Sequence, residues 1–178
     1  MAQETHELNS IDDIWPLQAA LNKRAGFDTA ALGEALKAVE AAGLLPAAPG
    51  EGGAGGADAP AADPKATAAL LAAGRALKCY IDALSAECHE LQECLSWKHW
   101  YREAKEGRQY QLQDVQNARV EATDMLFFWI SICQILGLDA QDVLRLYAKK
   151  LKINHRRQDE SRSQAEHGTH EDENRQVV

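Results

Sequence analysis

The stretch DVQNARVEATDMLFFWISICQILG, residues 114–137, places Glu121 and Asp124 one helical turn apart and then runs apolar on every side to a closing glycine. It is too long for a typical strand, and an all-round apolar run of this length marks a buried helix. On a helical cylinder Glu121, Asp124, Phe128 and Ile135 share one flank, so that flank is not wholly solvent. A carboxylate beside Phe and Ile is costly unless a cation pairs with it. An internal ion pair, for instance to Arg119, meets that need, and so in part does the favourable position of acids near a helix N-terminus. A bound metal is the third answer.

A second acidic pair lies upstream. In AECHELQECLSWKHW, residues 86–100, Glu87 and Glu90 repeat the i, i+3 spacing on a helix whose apolar stripe reads Ile81, Leu84, Cys88, Leu91 and Leu95. Alone, this is what a solvated helix face looks like. Set opposite Glu121 and Asp124, the pairs form a four-carboxylate cluster whose repulsion divalent ions relieve, and hard oxygen donors select Mg²⁺ or Mn²⁺. A di-iron bundle requires Glu-x-x-His on two helices, and His89 stands at the wrong spacing for it.

Outward from these helices the punctuation is helical throughout. Ser10 with Asp13 opens a short helix that stops at Gly26, and Asp28 caps TAALGEALKAVEAAG, which ends at Gly43 and Pro46. Asp63 followed by Pro64 starts a helix running towards Leu95, with Gly74 as a place for a bend. Asp139 and Asp142 box the start of a last helix. The expected organisation is N-terminal helices over residues 1–45, a flexible Gly/Ala/Pro linker over 46–63, a helical bundle over 64–158 and a disordered polar tail over 159–178. The fold class is all-α, a helical bundle.

A formal net charge of -8 in 178 residues argues against nucleic acid or an anionic membrane as partner. There is no basic segment leading into an apolar run at the N-terminus, and MLFFWISICQILGL is too short to span a bilayer. Cys79, Cys88, Cys94 and Cys133 form no C-x-x-C pair and read as reduced thiols of a cytoplasmic protein. In YAKKLKINHRRQ, Lys150, Asn154 and Arg157 recur at i, i+4 and i+7, a row that can grip phosphate oxygens or complement a helix dipole. Gln18 and Asn22, a turn apart, carry amides able to read a base edge. Trp97, Lys98, His99 and Trp100 form a bulky clasp or a packing plug.

Taken in order, LQAALN, ECHEL, WKHW, NARVEATD and KLKINHRRQ resemble the dimeric all-α dUTPases, relatives of the MazG-like NTP pyrophosphatases. The resemblance covers residues 15–26 and 79–158. It implies a bundle of the all-α NTP pyrophosphatase type completed by dimerisation, a homodimer that hydrolyses dUTP, and dUDP with it, to dUMP. It further implies that Glu87, Glu90, Glu121 and Asp124 hold Mg²⁺ and activate water. Gln18 and Asn22 then contact uracil, Trp97, Lys98, His99 and Trp100 wall the nucleoside, and Lys150, Asn154 and Arg157 bind the phosphates. The chain departs from the family in carrying RRQDESRSQ where members follow RQ with Gly-Tyr, and residues 29–63 have no counterpart. Two other readings stand beside this one: a house-cleaning pyrophosphatase for another nucleotide such as dCTP, and a non-catalytic helical interaction protein.

Overall fold

A computed structural model describes residues 8–46 and 63–159, together with Glu173, Asn174 and Val177. The expected linker, apart from Pro46 and Asp63, and the expected tail, apart from Asp159 and those three residues, lie outside the described residues. The fold is all-α: α1 (Ile11–Arg24), α2 (Thr29–Ala41), α3 (Pro64–Glu93), the short α4 (Arg102–Lys105), α5 (Val115–Ile135) and α6 (Ala140–Asp159). Among the described residues extended pairing is limited to one antiparallel bridge, Leu95 with Leu112.

The helix ends follow local chemistry. The Asp13 carboxylate accepts from the backbone N–H groups of Asn9 and Ser10, both at 2.8 Å, and Asp28 accepts from Ala31 N–H. Asp63 accepts from Lys65 and Ala66 with Pro64 in the first turn, so no donor is wasted where α3 begins. Asp139 and Asp142 exchange backbone-to-side-chain bonds of 2.7 and 3.1 Å, a reciprocal capping box for α6. Gly74 does not interrupt α3, which is one helix from Pro64 to Glu93.

The chain divides into two compact units, Pro16–Gly137 and Met1–Trp15 with Leu138–Val178. In the first, α2, α3 and α5 pack on one another around Ala73, Tyr80 and Ile135, with Leu32, Leu77, Phe128 and Ile132 against them. The closest approach is at Gly33 of α2, where an added Cβ would stand 2.1 Å from the Gln134 carbonyl oxygen of α5. In the second unit the Trp15 indole donates to Leu138 O at 3.3 Å, and Gln141 donates to both Asp12 oxygens at 3.0 Å.

Two expectations about helix faces need correcting. The inward line of α3 is Ala66, Ala73, Tyr80, Glu87 and Cys94, seven residues apart, whereas Ile81 and Cys88 of the expected stripe are exposed. Ala73 and Tyr80 of this line share the buried core with Ile135 of α5. Nor is α5 covered all round, since Leu126 and Phe127 are exposed while Ile130, Ser131, Cys133, Gln134 and Ile135 are buried.

Candidate functional site

Glu87 lies on the inward line of α3, and α5 brings Glu121 and Asp124 to meet it. One carboxylate oxygen from each of the three lies within 4.8 Å of the others. Glu121 is buried, and Glu87 and Asp124 are half-buried. Among the described residues no Lys or Arg forms an ion pair with any of the three, Arg119 included. Glu90 is exposed and stands outside the trio, yet its charge reaches it. The Glu87 carboxyl titrates above the ordinary range, through burial first, then the charges of Glu90, Asp124 and Glu121, and a hydrogen bond shared with Glu121. The fourth acid expected from the sequence is thus an electrostatic neighbour of the cluster rather than a member.

One neighbour fixes the geometry. Asn117, a turn before Glu121, donates through Nδ2 to Glu121 Oε1 at 2.9 Å and to the Cys94 sulfur at 3.5 Å. Its own N–H is held by the cap residue Asp114 at 2.9 Å. The carboxylate is therefore oriented from the helix start. Oxygens on one octahedral Mg²⁺ at about 2.1 Å are at most about 4.2 Å apart, so the trio, with its oxygens within 4.8 Å of one another, would have to draw closer to hold such an ion. The all-oxygen donor set suits Mg²⁺ or Mn²⁺ rather than zinc or copper.

A cavity of about 270 Å³ in the same unit is lined by Asn22, Phe27, Tyr80, Ala83 and Phe128. Ala83 precedes Glu87 by one turn on α3, and Phe128 follows Asp124 by one turn on α5, so the aromatic walls and the carboxylates share the same helix seam. Phe27 meets Tyr80 edge-on with centroids 6.1 Å apart, and Phe128 lies 6.3 Å from Tyr80. Sequence reasoning missed these three rings as a group, because their spacing along the chain carries no common period.

Gln18 and Asn22 are both buried, in a polar network that was also not anticipated. Gln18 Nε2 donates to Asn22 Oδ1 at 2.9 Å and to Ser131 Oγ at 3.1 Å. Asn22 Nδ2 donates to Ser131 Oγ at 2.9 Å and Thr29 Oγ1 at 3.1 Å, and Thr29 donates to Gln134 Oε1 at 2.7 Å. Ser131 and Gln134 were the available signal: two polar residues a turn apart inside an otherwise apolar run.

The clasp lies beyond the C-terminal end of α3. Trp97 and Lys98 line a second cavity of about 210 Å³ that shares no lining residue with the first. Glu93 accepts from the Trp97 indole at 3.1 Å and from Lys98 Nζ at 2.9 Å, which holds the Glu93 carboxyl below its usual range and Lys98 above. His99 and Trp100 are exposed and stack edge-to-face at 4.8 Å. Along α3 the carboxylate cluster lies between the two cavities.

Lys150, Asn154 and Arg157 belong to the other unit. There Arg157 Nε bonds Glu173 Oε2 at 2.9 Å, and Lys150 Nζ and Arg157 Nη2 both reach Asn174 Oδ1. Burial and the charge of Arg157 lower the Lys150 ammonium pKa.

Among known proteins no family model, no curated protein and no solved structure matches the chain. The fold and site define an all-α protein with a three-carboxylate cluster on a helix seam and an aromatic cavity in the same unit. No single helix among the described residues is long and apolar enough to cross a membrane.

Proposed function

We propose that the chain is a cytoplasmic, Mg²⁺-dependent nucleoside triphosphate pyrophosphohydrolase that converts dUTP, and dUDP, to dUMP. The observation that carries this reading is the meeting of Glu87, Glu121 and Asp124 without a paired cation among the described residues. Like charges this close, one of them buried, are costly until a dication neutralises them. When bound, Mg²⁺ supplies charge neutralisation on the phosphates and a more acidic water. The chain's part is positional: Glu87, Glu121 and Asp124 hold the ion, Asn117 orients Glu121, and a carboxylate of this group, with Glu90 near enough for its charge to act on Glu87, accepts the proton of the attacking water. Phe27, Tyr80 and Phe128 offer flat apolar faces to a base. Lys150, Asn154 and Arg157 have the chemistry to bind phosphate oxygens, and Trp97, Lys98, His99 and Trp100 to wall the nucleoside. Exposed Val120 and Phe127 on α5, and Leu144, Tyr147 and Leu151 on α6, support a homodimer that would cover such surface.

One observation favours relaxed base choice as a second reading, with dCTP among the substrates. The Asn22 amide is already satisfied within the protein on both its donor and acceptor sides, so base selection falls to cavity shape, which discriminates weakly. Pyrophosphate release from dUTP, dCTP, dTTP, dATP and dGTP, each with Mg²⁺ and with chelator, tests both. Turnover of dUTP that chelator abolishes supports the activity; comparable rates on dCTP select the second reading; no Mg²⁺-dependent release from any of them leaves the interaction-protein alternative.

A further inference from the structure

The cationic row of α6 is met by three residues further along the chain, Glu173, Asn174 and Val177. Glu173 is buried, and its two oxygens are spent on neighbouring guanidinium groups: Oε1 accepts from Arg156 Nη2 at 2.7 Å and Oε2 from Arg157 Nε at 2.9 Å. Asn174 Oδ1 accepts from Arg157 Nη2 at 3.3 Å and from the Lys150 ammonium. One helical repeat away, Lys149 Nζ donates to the Val177 carbonyl at 2.8 Å. Oxygens from these three residues thus lie on Lys149, Lys150, Arg156 and Arg157. A carboxylate with each oxygen on a separate guanidinium reproduces the way two oxygens of a phosphate are bound.

We infer that Glu173 is an internal competitor for the anion-binding row of α6, closing on Arg156 and Arg157 in the resting chain and leaving when a di- or triphosphate arrives. The inference rests on the reading of that row as a phosphate site. It adds Arg156 and Lys149 to the row and makes Glu173, with Asn174, the group that must leave before the row is open. The occupant follows from the chemistry of the held groups. A phosphate chain carries more negative charge than one carboxylate and offers oxygens to several cations at once, so it displaces Glu173 by mass action. If the closed form is about nine-tenths populated, the apparent affinity of the row is about tenfold weaker than its intrinsic affinity.

The test uses the full chain and inorganic tripolyphosphate with chelator present, so that neither metal binding nor turnover contributes. Isothermal titration should show affinity rising about tenfold in Glu173→Gln and falling by at least that much in Arg157→Gln. In the wild-type chain, amide exchange at Glu173, Asn174 and Val177 should accelerate when tripolyphosphate is added, a readout that needs no variant. Unchanged affinity in Glu173→Gln together with unchanged exchange overturns the inference, leaving Glu173 a strut for α6. Failure of the wild type and of Glu173→Gln alike to bind tripolyphosphate also overturns it, because the row is then not an anion site. Either failure is distinct from failure of the proposed activity, which the nucleotide panel with Mg²⁺ decides separately.

Discussion

Gly33→Ala is the substitution that most sharply probes how α2 meets α5. The new Cβ would stand 2.1 Å from the Gln134 carbonyl oxygen and 3.0 Å from Gly137 Cα, all backbone atoms. Carbon and oxygen in contact need about 3.2 Å or more, so roughly 1 Å of separation must open between two packed helices. Overpacking of this kind costs ~1–3 kcal/mol and occasionally more, and rigid backbone on both sides places this site at the upper end. Alanine returns about 1 kcal/mol through helix propensity, which leaves a net loss of about 2 kcal/mol. That is a large part of the ~5–15 kcal/mol typical of a domain. Gly74→Ala is the matched control, because a Cβ on that exposed glycine of α3 meets nothing within 4 Å. It should gain about 0.5–1 kcal/mol from the same propensity term. Urea unfolding followed by far-UV circular dichroism measures both changes. A Gly33→Ala midpoint equal to or above that of the parent would refute the described contact between α2 and α5.

Three further outcomes follow from the site and the core. Asn117→Ala should weaken Mg²⁺ binding about tenfold while leaving the fold intact, read by calorimetric titration, because Glu121 loses the donor that orients it. Glu87→Gln should raise the thermal midpoint of the metal-free protein and remove most of the further rise on adding Mg²⁺, since its charge is what the cluster repels. Burial pushes the Cys133 thiol up to about 11 from 9.0, so the folded state holds that proton longer than the unfolded one. Its stabilising share, at most about 3 kcal/mol, is therefore complete below pH 9 and lost as pH rises towards 11. The alkaline fall in stability should be shallower in Cys133→Ala, and a thiol reagent at pH 8 should modify exposed Cys79 and Cys88 well before Cys133.

Helix boundaries were legible because caps are local chemistry. Asp63-Pro64, the Asp139/Asp142 box and the glycines at 26, 43 and 137, all with positive φ, each act within a few residues. The meeting of Glu87 with Glu121 and Asp124 was also legible, since i, i+3 acids on a flank shared with Phe128 and Ile135 have to be answered by something. The rest depended on contacts between distant segments. The inward line Ala66, Ala73, Tyr80, Glu87, Cys94 is not legible in the sequence, because alanine is only weakly apolar beside Ile81 and Leu91. The cavity of Phe27, Tyr80 and Phe128 draws on three separate segments, and the grip of Glu173 on Arg156 and Arg157 joins residues that no short-range pattern links.

The claim on which the functional account stands is that Glu87, Glu121 and Asp124 together bind a divalent ion. Electron paramagnetic resonance of Mn²⁺ titrated into the metal-free protein tests it directly, because bound Mn²⁺ loses its sharp free-ion signal. The account predicts binding that Mg²⁺ competes away and that Glu121→Gln with Asp124→Asn weakens by more than tenfold. Equal Mn²⁺ binding by the parent and the doubly substituted chain, or no binding by the folded parent at millimolar metal, would contradict it.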